Sequence, residues 1–120
     1  MIPAPFPTAD GYAVPLYICR MLVHPSEILL LRGDGNYTHI HLTEGRMLLA
    51  SRNIGYYETL LPPNHFWRPH KTAIVNRSFI ATIYKREVVL RDGTRLEVAR
   101  RRWKEMKTKS INRHKLLFEL

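Results

Sequence analysis

Cysteine and long apolar runs are both scarce in this sequence. The one cysteine, Cys19, excludes an internal disulfide framework and, with no sign of secretion, favours the reducing cytoplasm. The longest apolar runs, such as 28–31 and 47–50, are far shorter than the roughly 20 residues that cross a bilayer. The N-terminus has no charge before Asp10, which is not the pattern of a signal peptide. We therefore expect a cytoplasmic protein that does not enter a membrane.

Motifs for catalysis and for metal binding are also missing. There is no Gly-x-Ser-x-Gly elbow, no Gly-rich phosphate loop and no paired carboxylate. Cys19 lies in an apolar run with no base beside it, so we expect it to be a core thiol. The histidines considered as zinc ligands are His39, His41, His65 and His70. They lack the accompanying Cys or carboxylate at regular spacing. The sequence thus predicts no enzyme, no metal and no other cofactor.

Positive charge, in contrast, is abundant and unevenly distributed. The 120 residues include 19 Lys and Arg against 10 Asp and Glu, a formal net charge of +9. Residues 1–65 hold four basic and five acidic side chains, whereas residues 66–120 hold fifteen basic and five acidic ones. Solubility alone would favour a more even mixture of signs. The asymmetry favours a polyanionic partner, for which DNA, RNA and an acidic membrane are all candidates at this point.

Turn residues and apolar alternation predict mainly β structure in a single small domain. Residues 1–13 are Pro-rich and are interpreted as an arm or a linker remnant, and residues 14–120 as the domain. A first strand is expected over 16–23. Residues 33–36 and 92–93 carry the Gly, Asp and Asn pattern of hairpin turns. Several short antiparallel strands and hairpins are therefore expected.

Two segments change from strand to helix spacing. Asn53 can cap a short central helix, which the prolines at 62–63 end. The apolar face expected for this helix comprises Ile54, Tyr57, Leu60 and Leu61. A basic C-terminal helix is expected over 99–109, with Trp103 on its buried side. The tail 110–120 either extends that helix or lies over the sheet.

Three consecutive arginines stand where the C-terminal helix is expected to begin. They are Arg100, Arg101 and Arg102. Helix N-termini normally favour acidic residues, so Arg100 fits better if an anion occupies this position. Arginine also makes bidentate hydrogen bonds to guanine, which lysine does less well. A solvated helix face is the alternative interpretation. We expect these residues to bind DNA.

A second basic group lies at the end of a predicted strand. Arg68, His70 and Lys71 can project polar tips into a groove while apolar neighbours anchor the strand. A solvated strand end is the alternative for Arg68. A different class of function also stays open: a basic protein-interaction or effector-binding module without DNA specificity. Its partner surface would comprise the Pro-rich arm and the aromatic residues Tyr56, Tyr57, Phe66 and Trp67. RNA binding is a third possibility, but these aromatics are expected in the core rather than as stacking platforms.

The chain resembles the LytTR DNA-binding domain of bacterial transcription regulators. The resemblance is carried by the segments HFWRPHKTAIVNRSFIATI and VVLRDGTRLEVARRRWKEMK and extends over 26–107. The family pattern Phe-x-Arg-x-His-(Arg/Lys)-(Ser/Thr), then Val-Asn and Ile, is matched by Phe66, Arg68, His70, Lys71, Thr72, Val75, Asn76 and Ile80. Ala99 departs from the family, which usually has Ser before the arginines. If that hydroxyl contacts phosphate, one contact is lost here, and the arginines at 100–102 would compensate.

The resemblance implies a mostly β domain without a helix-turn-helix, whose loops enter successive major grooves of double-stranded DNA. It further implies paired direct repeats as the usual target, and bending of the DNA. Base-reading roles are implied for Asn36, Lys71 and Arg101, and neighbouring contacts to phosphate or base for His70 and Arg100. A response-regulator output role in a two-component system follows from the family. A dimer on DNA and fusion to a sensor or receiver domain are left open.

Overall fold

The structure, a computed structural model, describes residues 16–105, which form ten short strands, two α-helices and three short 3-10 helices (Pro25–Glu27, Thr43–Gly45 and Arg77–Phe79). The strands are β1 (Leu16–Ile18), β2 (Met21–Val23), β3 (Ile28–Asp34), β4 (Tyr37–Leu42), β5 (Met47–Ala50), β6 (Phe66–His70), β7 (Ala73–Asn76), β8 (Ile80–Tyr84), β9 (Glu87–Leu90) and β10 (Arg95–Glu97). The α-helices are α1 (Ile54–Leu60) and α2, which begins at Arg100 and is described over 100–105. The predicted arm 1–13 and tail 110–120 lie outside the described residues.

The strands of residues 16–105 form three antiparallel sheets. The largest has five strands in the order β5-β4-β3-β7-β6. Strands β8, β9 and β10 form a meander, and β1 pairs with β2 as a separate hairpin. The expected fold, mainly β with one short central helix and one C-terminal helix, is confirmed by this arrangement.

The five-stranded sheet has an apolar core on each of its faces. On one face, Leu31 and Ile74 pack with residues of α1 and of the β1–β2 hairpin. On the other face, Leu30 and Val75 pack with the three-stranded sheet. Neighbouring strand residues point to opposite faces, which is why Leu30 and Leu31 belong to different cores. The central sheet is therefore covered on both sides, and its ends are left to carry polar side chains.

The prediction of one strand over residues 16–23 is wrong. Cys19 and Arg20 adopt left-handed backbone conformations, with φ of 53° and 63°, and reverse the chain so that Ile18 faces Met21. Hairpin turns of this kind usually contain Gly or Asn, so Cys-Arg gives no turn signal. The core-thiol prediction is wrong for the same reason. The Cys19 thiol is exposed at the turn and lies 3.5 Å from the carbonyl oxygen of Leu49.

Helix α1 forms where the sequence predicts it. The Oδ1 atom of Asn53 accepts a 2.9 Å hydrogen bond from the amide of Tyr56, which satisfies one of the free N–H groups of the first turn. Ile54 and Tyr57 are buried, as expected. Leu60, in contrast, is 40% exposed, so the apolar face is narrower than predicted. The helix lies over the sheet with its other side facing solvent.

Candidate nucleic-acid interface

Two turns lie side by side at one end of the five-stranded sheet. Strands β3 and β7 are antiparallel neighbours, so the end of β3 lies beside the start of β7. The amide of Gly33 donates a 2.9 Å hydrogen bond to the carbonyl of Thr72 across this junction. The β3–β4 turn that contains Asn36 and the β6–β7 turn that contains Lys71 therefore share one end of the sheet.

Asn36 lies at the tip of the first of these turns. Gly35 takes the left-handed conformation there, with φ of 62°, which a residue with a side chain would adopt at a cost. The side chain of Asn36 is exposed. An amide at this position presents both a donor and an acceptor, the pair of groups that recognises adenine in the major groove.

The second turn is held from behind by Arg68. Its Nη2 atom donates to the carbonyl of Lys71 at 2.6 Å, and its Nη1 atom donates to Oε1 of Glu58 on α1 at 2.6 Å. The side chain of Arg68 is only 17% exposed. Lys71 itself is exposed. The structure thus presents Lys71 at the surface and directs the guanidinium of Arg68 into the domain.

His70 is oriented by the same turn. Its Nδ1 atom accepts a 3.2 Å hydrogen bond from the amide of Thr72 and lies 3.0 Å from the Thr72 hydroxyl oxygen. Because Nδ1 accepts from an amide, the neutral ring carries its hydrogen on Nε2. His70 also lines a groove of about 200 Å³ between this end of the sheet and β10, together with Arg32 and Arg95. The neutral ring can therefore donate from Nε2, beside a groove whose charged lining comprises Arg32, Arg95 and Glu97.

The start of α2 is attached to β6, next to the Lys71 turn. The amide of Ala99 donates to the carbonyl of Pro69 at 2.8 Å, and Nη1 of Arg102 donates to the carbonyl of Arg68 at 2.9 Å. Trp103 packs against the core on this side. The first turn of α2 is thereby placed beside the strand that leads to Lys71.

The three arginines of α2 are not equivalent. Arg100 and Arg101 are exposed, whereas Arg102 is partly buried because its guanidinium is bonded to β6. Lys71 and Arg101 each lie two residues from the Pro69–Ala99 hydrogen bond. Five of the seven predicted site residues are thus exposed or partly exposed on the two turns and at the start of α2. They are Asn36, His70, Lys71, Arg100 and Arg101. The guanidinium groups of Arg68 and Arg102 are instead engaged inside the domain.

Two further basic residues, Arg52 and Lys85, lie near the two turns and the start of α2, and no sequence motif identified them as candidates for DNA binding. Arg52 lies 4.4 Å above the ring of Tyr56, and its carbonyl accepts a 2.7 Å hydrogen bond from the hydroxyl of Thr38, near the Asn36 turn. Lys85 is exposed in the β8–β9 turn. The backbone carbonyl of Arg86, the next residue of this turn, accepts a 2.9 Å hydrogen bond from the amide of Val98, just before α2. Lys85 and Arg86 adopt left-handed backbone conformations, but the turn has no Gly or Asn that would predict it from the sequence. The only sequence signal for these two residues is the positive charge of the second half of the chain.

The aromatic surface expected for an interaction module is largely absent from residues 16–105. Tyr57 and Phe66 are 6% exposed each and belong to the core. Trp67 is partly buried against the three-stranded sheet. Tyr56 is 38% exposed but packs edge-on against Tyr57, with ring centroids 5.1 Å apart. These side chains do not form one exposed patch.

The described residues offer neither a metal site nor a membrane-spanning helix. No three His, Cys, Asp or Glu side chains between residues 16 and 105 cluster closely enough to hold a metal ion. None of the helices in this range has the length and apolar character needed to cross a membrane.

Comparisons with known proteins agree with this picture. The family model described as the LytTr DNA-binding domain matches residues 19–110. A similar solved structure is the LytTr DNA-binding domain of a protein from Bacillus cereus described as a methyl-accepting/DNA response regulator. It has a TM-score of 0.66 and 23% sequence identity, and the alignment covers 84% of this chain and 89% of that chain. At this identity the likeness shows the fold alone. No curated protein matches the chain.

Proposed function

The chain belongs to the LytTr DNA-binding domain family, and from this premise we propose that it binds double-stranded DNA in a sequence-specific manner as part of a bacterial transcription regulator. The Bacillus cereus domain comes from a protein described as a response regulator. By extension, this chain would act in the cytoplasm as the output domain of a two-component response regulator, and a sensor or receiver domain would control it. Catalysis is not part of this role.

The proposal is supported by the way two backbone hydrogen bonds bring three segments together. The Gly33–Thr72 and Pro69–Ala99 hydrogen bonds connect the two turns and the start of α2 in one continuous region. A duplex that lies along this region would meet side chains from all three segments. Their exposed positive charges would attract the phosphates from any sequence, and their tips would then reach the base edges.

Direct contacts with bases are assigned to three exposed polar side chains. Asn36, Lys71 and Arg101 would enter the major groove from three separate segments, because amide and guanidinium groups match the edges of adenine and guanine. His70, with Nε2–H as donor, and Arg100 would contact phosphate or base beside them. Loops from separated segments would then enter successive grooves, and paired direct repeats with two copies of the chain on one DNA would extend the contact.

Arg68 and Arg102 were also expected to contact DNA. The Nη atoms of Arg68 donate to Glu58 and to the carbonyl of Lys71, and Nη1 of Arg102 donates to the carbonyl of Arg68, so these donors are already used within the domain. We assign them a supporting role, in which their charge still attracts phosphates while their hydrogen bonds maintain the interface.

Selection of bound duplexes from a random pool tests this function. A sequence-specific domain enriches one motif, and the spacing of its copies reports the repeat arrangement. Binding to the selected duplex should then weaken with salt. If about six phosphates are contacted, the slope of log K against log salt should be about −5. Failure to retain any duplex at low salt, or retention without an enriched motif, would contradict sequence-specific binding.

A further inference from the structure

Arg68 connects three parts of the domain. Its guanidinium donates to Oε1 of Glu58 on α1 and to the carbonyl of Lys71, both at 2.6 Å. Its own carbonyl accepts from Nη1 of Arg102 at 2.9 Å. Helix α1, the β6–β7 turn and α2 therefore meet at this residue. Two of these three parts, the turn and α2, carry side chains proposed to read DNA.

Glu58 supplies the negative charge in this arrangement. Hydrogen bonds between an arginine and a carboxylate are shorter, stronger and more directional than neutral ones, so Glu58 holds the guanidinium plane of Arg68 in one orientation. The other Nη atom then meets the carbonyl of Lys71. The position of that carbonyl sets the direction in which the Lys71 side chain leaves the turn. Recognition of a base edge requires such a side chain to be held to within about 0.5 Å.

We propose, building on the function proposed above, that Glu58 is a positioning residue for DNA recognition, which acts through Arg68 on the Lys71 turn. A carboxylate repels phosphates, so a Glu58 that served only as a surface charge would weaken binding to every duplex. A Glu58 that positions Lys71 strengthens binding to the specific duplex. The two roles differ in sign, which makes them separable by measurement.

The test compares the whole chain and its Glu58→Gln variant on two duplexes of equal length, the selected one and a scrambled one. Glutamine keeps the size of the side chain and removes its charge. Affinity for the selected duplex should fall about three- to tenfold, while affinity for the scrambled duplex is unchanged or slightly higher. The matched control is Glu44→Gln, which removes the same charge from an exposed position at the opposite end of β4 from Asn36. It should leave the ratio of the two affinities unchanged.

A second variant, Arg68→Lys, keeps the positive charge but lacks the planar fork that directs separate donors to Glu58 and to the carbonyl of Lys71. It should also lower the specific affinity, and the double variant should lose less than the product of the two single losses, because both changes break one connection. Thermal melting identifies any variant that no longer folds. A Glu58→Gln variant that binds the selected duplex as tightly as the unmodified chain, or two losses that simply multiply, would overturn the positioning role. An unmodified chain that does not prefer the selected duplex would overturn the proposed function itself, and the positioning role with it.

Discussion

The backbone amide of Ala99 donates a 2.8 Å hydrogen bond to the carbonyl of Pro69, and this bond joins the start of α2 to β6. The two residues are thirty positions apart in the sequence. Lys71 follows one of them by two residues and Arg101 follows the other by two, so groups from distant segments are brought to one region. The proposed interface requires one duplex to meet both.

Removing the charge of Lys71 or of Arg101 should change the base preference of the domain as well as its overall affinity for DNA. Lys71→Gln and Arg101→Gln should each weaken binding to the selected duplex by about 1–3 kcal/mol and relax the preference at one base pair. Competition binding with single-base variants of the duplex measures both effects.

The matched controls for these variants are Arg46→Gln and Arg91→Gln. Both arginines are exposed, and both lie at the opposite end of the five-stranded sheet, near the groove between the turn after β4 and the β9–β10 turn. Their loss should have a smaller effect that is similar for all duplexes. Equal weakening by all four variants, with no change in base preference, would show that Lys71 and Arg101 contribute charge only.

Asn76 should be important for stability and not for DNA contact. It is 4% exposed, its Nδ2 atom donates to the carbonyl of Ile28 at 2.9 Å, and its Oδ1 atom accepts from the amide of Ser78 at 3.0 Å. Asn76→Ala leaves these buried groups without partners and should lower the free energy of unfolding by about 2–4 kcal/mol. Urea denaturation measures this change. Asn64→Ala, at an exposed position, should change it by less than about 0.5 kcal/mol. A stable Asn76→Ala domain that loses specific binding would contradict the structural role.

Acid should destabilise the domain through His41. Burial lowers the pKa of His41 below its ordinary value of 6.5, and the charges of Arg32 and His39 lower it further, while Asp92 opposes them. The folded state thus favours the neutral ring. The contribution of His41 to stability is present above pH 6.5 and is lost as the pH falls through the lowered pKa. Urea midpoints at pH 7.5 and pH 5 should therefore differ less in His41→Gln than in the unmodified chain.

A variant of Asp92 should change the acid sensitivity of the domain in the opposite direction. Its pKa is lowered from 3.8 by hydrogen bonds from Thr94, so it stays ionised across this pH range. Asp92→Asn removes the charge that favours protonated His41, and the loss of stability on acidification should become larger. Identical pH dependence in both variants and the unmodified chain would exclude His41 as the titrating group.

The sequence predicted the elements whose turns and caps have distinctive residues. The β3–β4 turn has Gly35, the β9–β10 turn has Asp92 and Gly93, and α1 has Asn53 as its cap, so all three were located correctly. The β1–β2 turn was missed because Cys19 and its neighbour adopt left-handed conformations without the residues that usually announce them. A turn that forms without Gly, Asn or Asp cannot be recognised from the residues in the turn itself.

The same limit applies to the interface. Charge and motif located the basic segments, but they could not distinguish an arginine that faces solvent from one that is bonded internally. Arg68 is directed inward by Glu58, ten residues away on a different element, and Arg102 by a carbonyl 34 residues away. Such partners are determined by how the helices pack on the sheet, which neither periodicity nor composition records.

The attachment of α2 has a consequence for solubility. Strand β6 is an outer strand of its sheet, and outer strands invite pairing with other molecules through their unused backbone groups. Here Pro69 has no N–H to offer, and the carbonyls of Arg68 and Pro69 are already occupied by Arg102 and Ala99. Strand addition at this border is therefore disfavoured, because a foreign strand would find two of its carbonyls taken and one N–H missing. The attachment of α2 thus protects the edge of the sheet that lies beside the basic side chains.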